Sequence, residues 1–270
     1  MVDALLLDYT KGTPSPLIDL PQGWLWLGFI ALFGACIGSF ANAAAMRIVR
    51  DEDPISQPSR CRSCQRKLKW FENLPIIGYL LVRGRCSTCH DQIPMRYIMA
   101  EIAAAAIFVI YAALLPVFTF FAFIIAIPIA LIAFLTDRSD MVLWTPSLGF
   151  GIAAGFLPPL TVPGWPLSVQ AAIIGALTGG ALIAGTNLIF QIIRGKQGFG
   201  TGDIWLLAMI GSWCGAIGAT IIFFASAYLG AIIGVALILR KKGQGSSKLP
   251  FGVFLSIVFL LYPISYILLN

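Results

Sequence analysis

Apolar stretches long enough to cross a lipid bilayer recur along most of this chain, and nearly all of its positive charge falls in alternate gaps between them. About 20 apolar residues, each rising 1.5 Å in a helix, span a hydrocarbon core. That length predicts spans at about 23–46, 97–115, 117–136, 141–158, 168–193, 204–216, 217–239 and 250–269, with only the Gly215 to Gly218 region dividing the sixth from the seventh. Hydrophobic residues make up 59% of the chain, charged residues 11%, and the mean hydropathy is +0.88. A soluble domain carries roughly 25% charged residues, so the expected fold is an all-α polytopic membrane protein of about eight transmembrane helices.

Alternating the spans puts residues 47–96, 137–140, 194–203 and 240–249 on one side, with seventeen of the eighteen Lys and Arg residues; only Lys11 falls opposite. The positive-inside rule makes that side cytoplasmic and the N-terminal segment, residues 1–22, periplasmic. The net charge of +6 is then explained by topology and by anionic headgroups of the lipid bilayer, and no nucleic acid partner is expected. Asp3, Asp8 and Asp19, with no basic n-region, argue against a cleaved signal peptide.

The gap at residues 47–96 is the one polar segment large enough for a fold of its own. It holds Cys61-Arg62-Ser63-Cys64 and Cys86-Ser87-Thr88-Cys89, two CxxC pairs with twenty-one residues between them. Each pair can place two thiolates on one tight knuckle, and two knuckles complete a tetrahedral shell, the zinc-ribbon arrangement. Cytoplasmic redox poise disfavours disulfides, so a metal is the better reading. Four thiolate ligands leave no open position for water, which makes the zinc structural, a staple for a loop short of apolar mass. Cys36 and Cys214 lie inside spans and read as small buried apolar residues.

Chemistry is more constrained still by two carboxylates at the expected cytoplasmic edge. Asp137 ends the apolar run from Val117 to Thr136, and Asp203 directly follows Gly198-Phe199-Gly200-Thr201-Gly202. Carboxylates against a hydrocarbon layer are expensive and read as functional. Hydrolysing an amide with carboxylates alone requires two facing one water, one to take its proton and one to polarise the carbonyl. Asp137 and Asp203 meet that requirement in type, depth and side, with Asp140 a rival to Asp137 three residues on. The bland readings are a helix-end charge for Asp137 and an N-terminal dipole partner for Asp203. His90 is the single histidine, so a zinc protease built on histidines lacks its ligands. The glycine run lies between membrane helices rather than after a strand, which argues against a nucleotide loop. Its better use, through Gly200 and Gly202, is to let a substrate backbone approach Asp203. Glu101 is expected to pair with Arg96 or to help hold substrate, while Asn42 and Arg47 at the same end of the first span suit substrate backbone or lipid phosphate. An ion- or proton-coupled transporter using the same aspartates is the alternative class, although it leaves the cysteine loop without a role.

Taken in order, these motifs resemble the type IV prepilin peptidases, integral-membrane aspartic proteases of the GxGD group. The resemblance runs from Gly38-Ser39-Phe40-Ala41-Asn42 and Arg47 through both CxxC pairs, Asn73-Leu74-Pro75, Arg96-Tyr97 and Glu101 to Asp137, Gly200-Thr201-Gly202-Asp203 and Pro250-Phe251-Gly252. It implies that Asp137 and Asp203 are the catalytic pair. It also implies cleavage of the basic leader of prepilins or pseudopilins on the cytoplasmic face of the bacterial inner membrane. Methylation of the new N-terminus with S-adenosylmethionine follows from the resemblance alone. The chain departs from the pattern at Leu143-Trp144-Thr145-Pro146, where the family commonly has Pro followed by Asp or Asn, and at Trp205, where a lysine often stands. The expected division is residues 1–22, a first helix at 23–46, the cysteine domain at 47–96 and a seven-helix protease core at 97–270.

Overall fold

A computed structural model describes residues 22–196, 198–239 and 249–269, so the expected periplasmic segment lies almost wholly outside the described residues. Every long element is helical: α1 (Gly23–Ile48), α2 (Ile77–Leu81), α3 (Arg96–Leu114), α4 (Val117–Asp140), α5 (Thr145–Ala154), α6 (Pro158–Thr161), α7 (Val169–Arg194), α8 (Thr201–Leu239) and α9 (Phe251–Leu269). Among the described residues, α1, α3, α4, α7 and α8 are each long and apolar enough to cross a membrane. Large side chains such as Ile174, Leu177 and Ile192 on α7 are exposed, as lipid-facing groups are. The protein is a multi-pass membrane protein.

The expected sixth and seventh spans form the single element α8, broken at Gly215, whose φ of 70° and ψ of −180° are non-helical. Only a residue without Cβ adopts that conformation cheaply. The expected fourth span is shorter than its apolar run suggested. Met141 turns the chain at φ 55°, Pro146 sits in the first turn of α5, Gly155 follows its last residue, and Pro158 starts the separate short α6. Hydropathy counts the apolar residues and is blind to these breaks.

The chain divides into two compact units, with a boundary after Phe120. In the N-terminal unit α3 packs along α1, where Gly38 admits it: a Cβ there would stand 2.7 Å from both the Ala100 carbonyl and the Ala104 side chain. Cys36 is exposed on α1, contrary to its reading as a buried residue, whereas Cys214 on α8 is buried as expected. In the C-terminal unit the main packing is α7 on α8, close enough that a Cβ on Gly175 would run into the Gly211 carbonyl. Phe123, Trp213 and Phe259 form an aromatic centre there, with Trp213 donating from Nε1 to the Gly151 carbonyl at 2.9 Å.

Candidate functional site

Asp137 lies in the last turn of α4 and is only 5% exposed. Its carboxylate reaches the first turn of α9, where the Val253 N–H donates to Oδ2 at 2.9 Å. The opening N–H groups of a helix lack internal partners and carry partial positive charge, so they favour an anion at this spot. Asp140, the rival three residues on, is exposed.

Asp203 sits in the first turn of α8 and is 6% exposed. Its Oδ2 accepts the Gly200 N–H at 3.0 Å, while its own N–H donates to the Gly200 carbonyl at 3.2 Å. The first of these bonds is one half of a capping box, an acid at the third helical position reaching back to the N–H at the cap; Gly200 has no side chain to supply the other half. Oδ1 is buried and receives no hydrogen bond from the described residues. A buried carboxylate oxygen without a donor is uncommon, and it is the oxygen left for a ligand or water to use.

Leu143 joins the two turns. A Cβ on Gly202 would stand 2.6 Å from Leu143 Cβ, and one on Gly252 would stand 3.3 Å from Leu143 Cδ1 and 2.9 Å from Asp137 Oδ2. The glycines flanking both aspartates are therefore filled by one leucine, and the two carboxylates lie within electrostatic reach of each other. Gly202 spends its missing side chain on Leu143, whereas a Cβ on Gly200 would meet Asp203 Oδ2 at 3.4 Å and the Gly202 nitrogen at 4.0 Å, both ordinary contacts.

The loop that delivers Asp203 is held by Asn187, which is not among the residues the sequence points to. Asn187, buried on α7, accepts N–H donors from Gly198 at 3.2 Å and Phe199 at 2.7 Å through Oδ1, and donates from Nδ2 to the Phe199 carbonyl at 3.1 Å. A buried amide inside a largely apolar helix is the available signal. Phe199 also packs against Phe251, the rings tilted by 52° with 4.5 Å between centroids, so the segment before Asp203 touches the segment that caps Asp137.

In the N-terminal unit the four loop cysteines converge, all sulfurs lying within 4.8 Å of one another and the Cys61 and Cys89 sulfurs 3.7 Å apart. Tetrahedral Zn–S bonds of about 2.3 Å put sulfurs about 3.8 Å apart, so the set fits a zinc ion. The two knuckles repeat one backbone pattern. Cys61 N–H donates to the Arg66 carbonyl and Cys86 N–H to that of Asp91, each at 2.9 Å, with Gln65 and His90 left-handed at the equivalent turns. Two side-chain ties hold the knuckles together: Ser63 to Asp91, and Ser87 to Glu72 at 2.6 Å. Glu72 also takes a bidentate bond from Arg66 at 2.7 and 2.8 Å, which holds its carboxyl down to about 2. Backbone amides of Cys89 and Thr88, with Arg66, pull the Cys86 thiol down to about 6, toward the thiolate that a metal binds.

Glu101 is buried on α3 and does not pair with Arg96. It accepts the Ile76 N–H at 2.6 Å, while Arg96 lies over the Tyr97 ring and donates to Met46 Sδ at 3.2 Å. The nearby Arg96 was the natural sequence partner, but a turn twenty-five residues upstream supplies the bond. Asn42 is buried on α1, and Arg47 donates to the Pro54 carbonyl at 2.9 Å, tying the end of α1 to the loop after it.

Similarity to known proteins follows the same division. Residues 32–115 match the family described as the bacterial peptidase A24 N-terminal domain, and residues 124–235, with both aspartates, match the type IV leader peptidase family. Proteins named prepilin leader peptidase/N-methyltransferase are similar over most of their length. The Aeromonas hydrophila protein is 29% identical over 94% of this chain and 92% of its own. The Dichelobacter nodosus protein is 28% identical over 90% and 92%, and that of Pseudomonas aeruginosa 29% over 84% and 86%. No solved structure matches significantly. With the two halves of one peptidase family matched in order along most of its length, this chain belongs to the type IV leader peptidase family.

Proposed function

We propose that the protein is a membrane aspartic endopeptidase that removes the leader of prepilins or pseudopilins and then methylates the new N-terminus with S-adenosylmethionine. The observation that carries the first activity is the pair of buried carboxylates, Asp137 and Asp203, each with one oxygen held by a helix-terminal amide and one leucine between their turns. Two carboxylates that share a site hold one proton between them. The ionised member then takes a proton from water while the protonated member donates to the scissile carbonyl oxygen. Asp203 Oδ1, without a donor among the described residues, is the oxygen best placed to meet substrate or water.

The same geometry speaks against a cation carrier. One oxygen of each carboxylate is already engaged by a backbone N–H, and a carrier would leave the four-cysteine cluster without a role. The second activity rests on the names of the relatives, which join the two activities in one protein.

In this reading the basic segments are cytoplasmic, the N-terminus is periplasmic, and cleavage occurs on the cytoplasmic face of the inner membrane. Cys61, Cys64, Cys86 and Cys89 would hold a structural zinc in a ribbon-like domain at residues 47–96, where it replaces the apolar core that segment lacks. The test is to incubate the purified protein with a prepilin, with and without S-adenosylmethionine, and follow substrate mass. Loss of the leader, and a further methyl only when the donor is present, are the expected results; an unchanged mass refutes the assignment.

A further inference from the structure

The short helix α2 turns an apolar face outward. Ile77, Leu80 and Leu81 are 48%, 61% and 63% exposed. Residues spaced by three and four share one face of a helix. The other side is closed: Gly78 is buried, and a Cβ on it would stand 2.6 Å from the Glu72 carbonyl oxygen. Trp70, shortly upstream, is 79% exposed, and Lys67, Lys69 and Arg83 around this apolar group are exposed as well.

Two contacts give the depth of α2. Glu101 on α3 accepts the Ile76 N–H at 2.6 Å, which pins the start of α2 to α3. Against the same residue stands α1, since a Cβ on Gly38 would lie 2.9 Å from Glu101 Cα. Ile76 is therefore level with Gly38 and Glu101, well inside both helices. At 1.5 Å per residue, that level is about 13.5 Å along α1 from Arg47 and about 7.5 Å along α3 from Arg96. Both helices are long and apolar enough to cross a membrane. Arginines at the ends of such helices belong among the headgroups, so α2 starts beneath them. Met99 and Ile102, on either side of Glu101 along α3, are exposed at the same depth, as lipid-facing side chains are.

The backbone is equipped for that depth, where unpaired N–H groups are costly. The chain reverses at Ile76, whose φ is 61° and ψ −55°, and the Ile77 N–H donates to the Pro75 carbonyl at 2.5 Å in a γ-turn. The Gly78 N–H donates to the Leu74 carbonyl at 2.8 Å, that of Leu80 to Ile76 at 3.1 Å and that of Val82 to Gly78 at 3.1 Å. With the Ile76 N–H held by Glu101, these donors are all spent inside the protein, and the apolar side chains are left facing outward.

We infer that residues 74–81 form a re-entrant element that enters the bilayer leaflet adjoining the cysteine loop. Ile77, Leu80 and Leu81 lie among the upper acyl chains, and Trp70, Lys67, Lys69 and Arg83 lie at the headgroups. Interfacial helices bury their apolar face about 5–10 Å into that boundary, and basic residues beside it suit anionic phosphates. Lipid is the occupant because the face continues, at one depth, the exposed apolar surface of α3. The four-cysteine cluster is thereby moored to the membrane between α1 and α3.

The test uses full-length protein with Leu80→p-acetylphenylalanine, coupled to a hydroxylamine nitroxide and held in nanodiscs of phosphatidylethanolamine and phosphatidylglycerol. Spin relaxation is measured with oxygen, which concentrates in lipid, and with a neutral nickel chelate, which stays in water. The same label at Leu81 makes the result independent of one substitution, and Thr88 of the second knuckle, which is exposed, serves as the reference. For side chains about 5–10 Å below the boundary, the ratio of oxygen to nickel access should be about tenfold higher at both leucines than at Thr88. A ratio at either leucine no higher than at Thr88 overturns the insertion. Low access to both reagents overturns lipid as the occupant, since a protein surface such as a second copy then covers the face.

Discussion

Gly252 stands so close to Asp137 that a Cβ on it would lie 2.9 Å from the carboxylate Oδ2 and 3.1 Å from its carbon. Asp137 can yield only by giving up the Val253 N–H. Alanine early in α9 otherwise favours the helix by about 0.5–1 kcal/mol. Gly252→Ala should therefore leave thermal stability near wild type while lowering kcat/KM for leader cleavage at least tenfold, about 1.4 kcal/mol of transition-state stabilisation. Paired melting and cleavage assays check the split.

Asn187 holds the Gly198–Phe199 backbone through three hydrogen bonds. Asn187→Ala strands those groups at a cost of about 1–3 kcal/mol. We expect the protein to accumulate in membranes but to cleave ten- to a hundredfold more slowly, because the segment that delivers Asp203 is no longer fixed. Initial cleavage rates normalised to protein amount make the comparison.

What the sequence made legible was periodic or local. Apolar runs mark the helices, the Gly215 to Gly218 region marks the break that the structure puts at Gly215 in α8, and the doubled CxxC marks the sulfur cluster. Asp137 was preferred over Asp140 by its place at the end of an apolar run, and burial separates them in the structure. The misses were contacts between distant segments. Nothing near Glu101 in sequence announces the Ile76 N–H, and nothing near Asp137 announces Val253, although Pro250-Phe251-Gly252 is one of the motifs that carry the family resemblance. Asn187 was visible as a polar residue in an apolar helix, but its use depends on a loop eleven residues later folding back on it.

Zinc content follows from the sulfur geometry. Purified protein should carry one zinc per chain, and Cys64→Ser should lower retention. A strong chelator should expose the segment around residues 58–92 to protease while the helices stay protected. Metal analysis with limited proteolysis reads both outcomes.

Glu72 has a signed pH consequence. Its bond from Arg66 lowers the carboxyl from 4.5 to about 2, and a depressed folded value contributes stability that is complete above the unfolded value and lost as pH falls through the folded one. The difference in zinc retention between wild type and Glu72→Gln should stay constant from about pH 5 to pH 8 on this account, then narrow below about 4.5. Chelator competition across that range measures it.

Most direct of all is the leader-cleavage rate of Asp137→Asn and of Asp203→Asn, each measured by substrate mass on protein shown to be folded and membrane-inserted. Both carboxylates are required if they act as one pair, so each variant should lose cleavage by at least a thousandfold, about 4 kcal/mol. A near-wild-type rate from either variant contradicts the pair.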